Sequence, residues 1–299
     1  MGFQIHSANL LKYVSKERHH DSIVQIGRQS INLLPDSYLL NSFGILNRDE
    51  IGDFAEQLLM KYFHAKEVVS IDKTDYEGAT FMMDLNSAIP ELLSDKLKNT
   101  FDLVIDFGTL EHLYNVPQAL FSISSICKEN ADIIHCLPAN GWVGHGFYQF
   151  SPELFFSVYS EENGYAGTEV FLANCHDNKY WYRVKKPING IRSCAEGDRE
   201  AYVLVKTTKV SKECRHSDIQ QSDWIIAWNR TQVESPEKTN DVMNRDFKSR
   251  VKITLSRFDV LVKLVRYLRE TKRKYFRGYD KISGRNPSLT KLKVSELLG

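Results

Sequence analysis

The sequence predicts an α/β fold. Its core is a mostly parallel sheet with helices on both faces, an antiparallel hairpin at one edge and a basic helical extension at the C-terminal end. Three observations carry this expectation. Short apolar runs alternate with helical patterns through the first half, the signature of parallel crossover units. Two of these runs, Val68–Asp72 and Asp102–Asp106, end in an acid, and Asp84 lies between them. Two late apolar runs, Thr168–Ala173 and Ala201–Lys206, follow one another with no crossover helix between them.

The elements follow in order. Ser22–Gly27 reads as a first strand closed by glycine. Residues 28–47 show no period. Ile51, Phe54, Ala55, Leu58, Leu59, Tyr62 and Phe63 then form an unbroken helical series, with Asn47 or Asp49 as its cap. Val68–Asp72 and Thr80–Leu85 read as strands, Glu91–Leu97 as a short helix and Asp102–Asp106 as a strand. Pro117–Cys127 reads as a helix, because a proline in the first turn gives up no hydrogen bond. Asp132–Leu137 is the next strand. Ser151-Pro152-Glu153 is a helix start, with Ser as cap, Pro at the first position and Glu at the positive end of the dipole; Gly164 is its expected stop. The domain reading is a body over 1–208, a polar linker over 209–245 and a helical extension over 246–299.

Composition bounds the function. The 299 residues are 42% hydrophobic and carry a net charge of +1. That balance hides an asymmetry. Residues 241–299 hold 16 Lys or Arg against 6 Asp or Glu, whereas the first 240 hold 23 against 32. Within the tail, Val251, Leu255, Phe258, Leu261, Val262, Val265 and Leu268 recur at helical spacing among basic residues. Residues 251–272 therefore read as a basic amphipathic helix, suited to an anionic membrane surface or to self-association. The acidic body and the lack of a reader motif argue against nucleic acid. No apolar run is long enough to span a bilayer, and the N-terminal stretch has no signal-peptide core. Five scattered cysteines with no CxxC pair fit reduced thiols in a cytoplasm, peripheral to the inner membrane face if the tail binds there. Neither HxE nor HExxH spacing occurs, so no metal site is expected.

In an open parallel sheet, ligands bind beyond the carboxyl ends of the strands. Acids at those ends can accept hydrogen bonds from the two hydroxyls of a ribose. Any one of Asp72, Asp84 and Asp106 reads as an ordinary loop acid; three in series point to a nucleotide-cofactor site. The segments IDKTD, MMDLN and FDLVIDFGTLEHLYN resemble the second, third and fourth motifs of class I S-adenosylmethionine-dependent methyltransferases. The resemblance runs from about Ser22 to Thr208. LPANGWVGHGFYQFSPELF, from Leu137 to Phe155, resembles a bacterial subset found with surface-polysaccharide biosynthesis genes.

The resemblance implies a Rossmann-like domain that binds S-adenosylmethionine. Asp72 would hold the ribose, Asp84 and Leu85 the adenine side, and Gly27, Asp106 and Glu111 the inner pocket. The acceptor would be a small molecule or a glycan hydroxyl. His145 stands between two glycines beside Trp142, Tyr148 and Gln149, which could bind such an acceptor; His145, or else His112, would take its proton. The first turn departs from the family. In VQIGRQSI, Gln25 stands where an acid is usual, and Arg28, Gln29 and Ser30 replace small residues. This departure keeps two other readings open: a non-catalytic scaffold in a membrane-associated assembly, and a nucleotide-sugar-modifying enzyme.

Overall fold

The computed structural model describes residues 2–188, 193–197, 199–212, 219–233 and 281–299. One nine-stranded sheet organises them, in the order β3-β2-β1-β4-β5-β8-β6-β7-β9. The strands are β1 (Ser22–Ile26), β2 (Glu67–Asp72), β3 (Phe81–Met82), β4 (Phe101–Asp106), β5 (Cys127–Asn140), β6 (Tyr165–Asn174), β7 (Tyr180–Val184), β8 (Ala201–Lys209) and β9 (Leu289–Lys293). The first five pair in parallel. β8 runs antiparallel between β5 and β6, and β7 and β9 extend the antiparallel edge. Chain order leaves β1 toward β2 and β3 on one side and toward β4 and β5 on the other. The switch point thus lies between the ends of β1 and β4, where open α/β sheets place their ligands.

Strict alternation in the buried strands divides the core between the two faces. Ile23, Leu103, Ile105 and Ile134 point to one side with helices α1 (Ile5–Ser15), α2 (Asp36–Phe43) and α3 (Ala55–Tyr62). Val24, Ile26, Val104 and Ile133 point to the other with α4 (Glu91–Leu97), α5 (Val116–Ile126) and α6 (Pro152–Val158). Each fully buried aliphatic side chain contributes about 1.5–3 kcal/mol, and the paired faces together set the strand register.

Several expectations stand, and others move for local reasons. α4 has the expected bounds. Asn115 caps α5 by accepting the Gln118 N–H, and Ser151 caps α6 with Pro152 at the first position. The helix anticipated from Ile51 begins instead at Ala55, because Gly52 at φ 63° breaks the backbone path. Asn47 caps the short 3-10 turn Arg48–Glu50 that precedes it. α6 ends at Val158, and Gly164 closes the 3-10 turn that follows. β6 and β8 pair antiparallel as expected, but not as an edge hairpin: β7 lies between them in sequence and extends the sheet beyond β6, while β8 sits inside against β5.

The C-terminal half holds structure the sequence reading left as linker and extension. Helix α7 (Ser222–Val233) falls inside the stretch read as polar linker. Residues 289–293 return to the sheet as β9, and a last helix, α8 (Val294–Leu298), packs on α1. The basic helix expected over 251–272 lies outside the described residues. Among the described residues, no helix is long and apolar enough to cross a membrane.

Helix α1 is held by a buried polar pair. His6 is 1% exposed; its Nε2 lies 3.0 Å from the Asn174 carbonyl, and the Trp181 indole N–H points at its Nδ1 from 3.1 Å. Only the neutral imidazole with its proton on Nε2 satisfies both. Burial accordingly lowers the His6 pKa below 6.5, against weaker opposing contributions from Asn174 and Asp177. The unfolded chain therefore binds a proton near pH 6.5 that the folded chain refuses, so this residue's contribution to stability falls as pH drops below 6.5. The melting temperature of the wild type should fall through that window more steeply than that of His6→Gln; the difference isolates His6 from other titrating groups. Parallel acid limbs in the two proteins would contradict this.

Candidate functional site

The site forms at the carboxyl ends of β4 and β5, beside the switch point. β4 ends at Asp106 and runs through a tight turn into the 3-10 segment Leu110–His112. β5 ends at Asn140 and runs into a loop that carries Trp142, His145 and Gln149 back over that segment. The Phe147 N–H donates to the Glu111 carbonyl at 2.7 Å, and the Tyr148 N–H to the same oxygen at 3.3 Å. Gly146 makes the approach possible. It sits at φ 74°, and a Cβ there would fall 2.7 Å from the Glu111 carbonyl oxygen.

This fold-over brings Glu111, His112 and His145 together. His112 Nε2 lies 3.9 Å from Glu111 Oε1, and His145 Nε2 lies 3.7 Å from the same atom. The two imidazole rings meet edge to face with centroids 5.2 Å apart, and Trp142 covers His145 at 5.4 Å. Glu111 is fully buried, and neither of its carboxyl oxygens has a hydrogen-bond partner; the buried Nε2 of His145 has none either. Burial, then the nearby Asp106, push the Glu111 carboxyl up to about 8. Burial, then His145, hold the His112 imidazole below its ordinary value. The cluster is polar and, at Glu111 and His145, short of partners.

Behind it runs a relay that the sequence reading missed. Asp106 and His135 are register partners on β4 and β5. His135 Nδ1 lies 2.8 Å from Asp106 Oδ2, and its Nε2 lies 2.7 Å from the Tyr159 hydroxyl. All three residues are 0–1% exposed. The other Asp106 oxygen accepts the Thr109 N–H at 3.0 Å. Asp106 was expected to face the inner pocket; both of its oxygens are instead taken inside the sheet. The signal that could have shown this is His135 itself, a histidine set in the apolar run IIHCL.

The other expected positions divide. Asp72 is half-buried at the end of β2; its Oδ1 accepts the Lys73 N–H, and no other side-chain bond to it is formed among the described residues. Its second oxygen can receive a ribose hydroxyl. Asp84 is engaged on both oxygens, one by Asn86 and the other by Lys73 at 3.0 Å, and these bonds lower its pKa. Leu85 is 3% exposed and packs in the core rather than lining a cleft. The Gly27 N–H donates to the Ile71 carbonyl, and a Cβ at Gly27 would lie 2.4 Å from Thr109 Oγ1. Gly27 thus serves the close approach of the β4 turn, which Thr109 locks by donating its hydroxyl to the Ile26 carbonyl at 2.6 Å.

The altered first turn also has a structural account. Gln25 is fully buried and donates to Glu56 of α3, which Arg28 also contacts at 2.9 Å. The missing strand acid is thus replaced by a carboxylate from a helix. Arg28 stacks on Phe54 at 4.0 Å and donates to the Glu77 carbonyl, so it ties the β1 turn to the loop after β2.

The expected acceptor residues mostly hold the loop. The Trp142 indole donates to the Ala201 carbonyl at 3.1 Å, Gln149 Oε1 accepts the Trp142 N–H at 3.0 Å, and the Tyr148 hydroxyl donates to the Tyr114 carbonyl at 2.9 Å. Gln149 also lines a cleft of about 250 Å³ beside the loop, with Ala139, Asn140, Phe150 and Ile282. Val143 and Phe147 on this loop and Tyr114 just after His112 are exposed, at 93%, 71% and 77%.

No protein-family model matches the chain, and no curated protein matches it. Solved structures do. The N-methyltransferase NodS from Bradyrhizobium japonicum, in complex with S-adenosyl-L-homocysteine, is 11% identical over 69% of this chain and 86% of its own, with a TM-score of 0.39. The YcgJ protein from Bacillus subtilis is 11% identical over 70% of this chain and all of its own, also at 0.39. The 1,6-didemethyltoxoflavin-N1-methyltransferase from Burkholderia thailandensis is 9% identical over 69% of this chain and 78% of its own, at 0.37. Likenesses this loose say nothing about chemistry, which rests on the residues above.

Gly27→Ala should lower stability by about 1–2 kcal/mol for the left-handed backbone alone, and by more for the clash with Thr109. Adding Thr109→Ala should return only the second part. A double mutant as unstable as the sum of the two single changes would show that the contact does not matter.

Proposed function

We propose that the chain transfers the methyl group of S-adenosylmethionine to a hydroxyl acceptor at the Glu111–His112–His145 cluster. The supporting observation is the placement of that cluster beside the switch point of a Rossmann-like sheet, with a buried acid and a histidine nitrogen left without partners. The half-engaged Asp72 at the end of β2 fits a ribose. When bound, the cofactor supplies an already activated methyl group, so the protein needs no nucleophile of its own.

The residues then divide the work. Asp72 accepts a ribose hydroxyl. Exposed Val143, Phe147 and Tyr114 guide an apolar or ring-faced acceptor to the cluster. His145 Nε2, 3.7 Å from the Glu111 carboxyl, accepts the acceptor's proton. His112 fixes the His145 ring by edge-to-face contact. A sugar hydroxyl suits the aromatic loop, which is the basis for a glycan acceptor and for a place in surface-polysaccharide synthesis.

One observation favours the non-catalytic scaffold as a second reading. The Gly27 N–H is already bonded, and Arg28 is held across the β1–β2 turn, where a cofactor must approach.

Calorimetric titration with S-adenosylhomocysteine separates the two readings. Binding that weakens by about 1.5–3 kcal/mol in Asp72→Ala, in a protein still folded by circular dichroism, is the expected result. No binding by the wild type would leave the scaffold reading. With an acceptor in hand, His145→Ala should lower turnover by about 10²–10⁴ while leaving cofactor affinity within a few-fold. Unchanged turnover would remove His145 as the base.

A further inference from the structure

The same three side chains have the make-up of a metal site, which the sequence spacing gave no reason to expect. Glu111, His112 and His145 each offer one ligand atom, and these atoms all lie within 4.8 Å of one another. Ligands of a tetrahedral Zn²⁺, at about 2.0–2.2 Å from the ion, stand about 3.4 Å apart. The 3.9 and 3.7 Å from Glu111 Oε1 to the two imidazole nitrogens lie close to that spacing.

A structural ion pair is the plain alternative, and it fails on hydrogen bonding. Neither oxygen of Glu111 is bonded to either histidine, and His145 Nε2 is buried with no partner. Buried polar groups are rarely left in this state, because each costs about 1–3 kcal/mol. Glu111 and His145 Nε2 stand unpaired beside the exposed His112, an arrangement that a cation bound among the three would satisfy. Among the described residues, other buried histidines are already satisfied: His20 bonds Asp132 at 2.8 Å, and His135 bonds both Asp106 and Tyr159.

We infer that Glu111, His112 and His145 form a three-ligand site for a divalent transition ion, Zn²⁺ by donor type, with a fourth position left for a water or an acceptor oxygen. Two imidazoles and one carboxylate suit zinc better than magnesium or calcium, which prefer all-oxygen shells. An open position on such an ion lowers the pKa of a bound water or hydroxyl. The site does not depend on the methyl-transfer reading, since the ion can be bound and measured with no cofactor present.

The test uses the full chain, stripped with a chelator and titrated with ZnCl₂ by calorimetry, with CoCl₂ as a spectroscopic probe. One tight equivalent of Zn²⁺ is expected. Glu111→Gln and His145→Ala should each weaken binding by more than about tenfold, a loss that even changes outside the ligand shell can produce. His19, His20 and His64 line a separate surface hollow and offer the obvious decoy. Binding that survives both site variants, or that is lost in His19→Ala or His64→Ala instead, overturns the assignment. So does the absence of a tight equivalent in the wild type. Should a site variant fold poorly, the wild-type Co²⁺ protein decides. Intense visible bands of four- or five-coordinate cobalt, with imidazole signals shifted by the ion, support the site; the weak spectrum of hydrated cobalt refutes it. Calorimetry with S-adenosylhomocysteine on the stripped protein reads the cofactor question separately.

Discussion

The candidate site depends on one buried acid. The Glu111 carboxyl is shut away from water beside Asp106, and neither of its oxygens meets a hydrogen-bond partner. Leaving it so costs about 1–3 kcal/mol, a sizeable fraction of the net stability of a domain. Folding tolerates that cost because the backbone around Glu111 is fixed from two sides. The 3-10 turn Leu110–His112 carries it out of β4, and the loop after β5 clamps its carbonyl with two N–H groups. The clamp fixes the Glu111 backbone, and Gly146 allows the loop to bring His145 within 3.7 Å of the carboxyl.

The base of the site is rigid for a second reason. Asp106, His135 and Tyr159 form a fully buried, fully paired chain that joins β4, β5 and the end of α6. A satisfied buried network of this kind fixes one arrangement of its strands. Thr109 then ties the turn after Asp106 back to β1, through the space that only a glycine at position 27 leaves open. The strand ends that present Asp72 and Glu111 are thus positioned by polar contacts, while the apolar faces supply most of the stability.

Much of this was legible in the sequence where the signal is local. The acids that close β2 and β4, the bounds of α4 and the cap of α6 all follow from runs of a few residues. Helix α1 was not legible, because its buried face carries His6, Ser7 and Asn9, and polar residues at core positions erase the apolar period. β7 and β9 pair across more than a hundred residues, and no short window records such a partner. The site follows the same division. Glu111, His112 and His145 could each be picked out singly, from a strand-end turn and a glycine-flanked histidine. Their meeting depends on Gly146 packing against Glu111, a tertiary contact. Conversely, Asp106, Asp84 and Gly27 looked like cofactor residues in sequence, yet their bonds are spent on Thr109, His135, Asn86, Lys73 and Ile71.

The most direct test of the central claim is the melting temperature of Glu111→Met in the metal-free protein. If Glu111 is kept for function at the expense of stability, an apolar side chain of similar size removes the unpaired group. The melting temperature should then rise by a few degrees, on the scale of about 2–4 °C per kcal/mol for a domain of this size. A fall of similar or larger size would show that the carboxyl has a structural partner, and would contradict the account of the site.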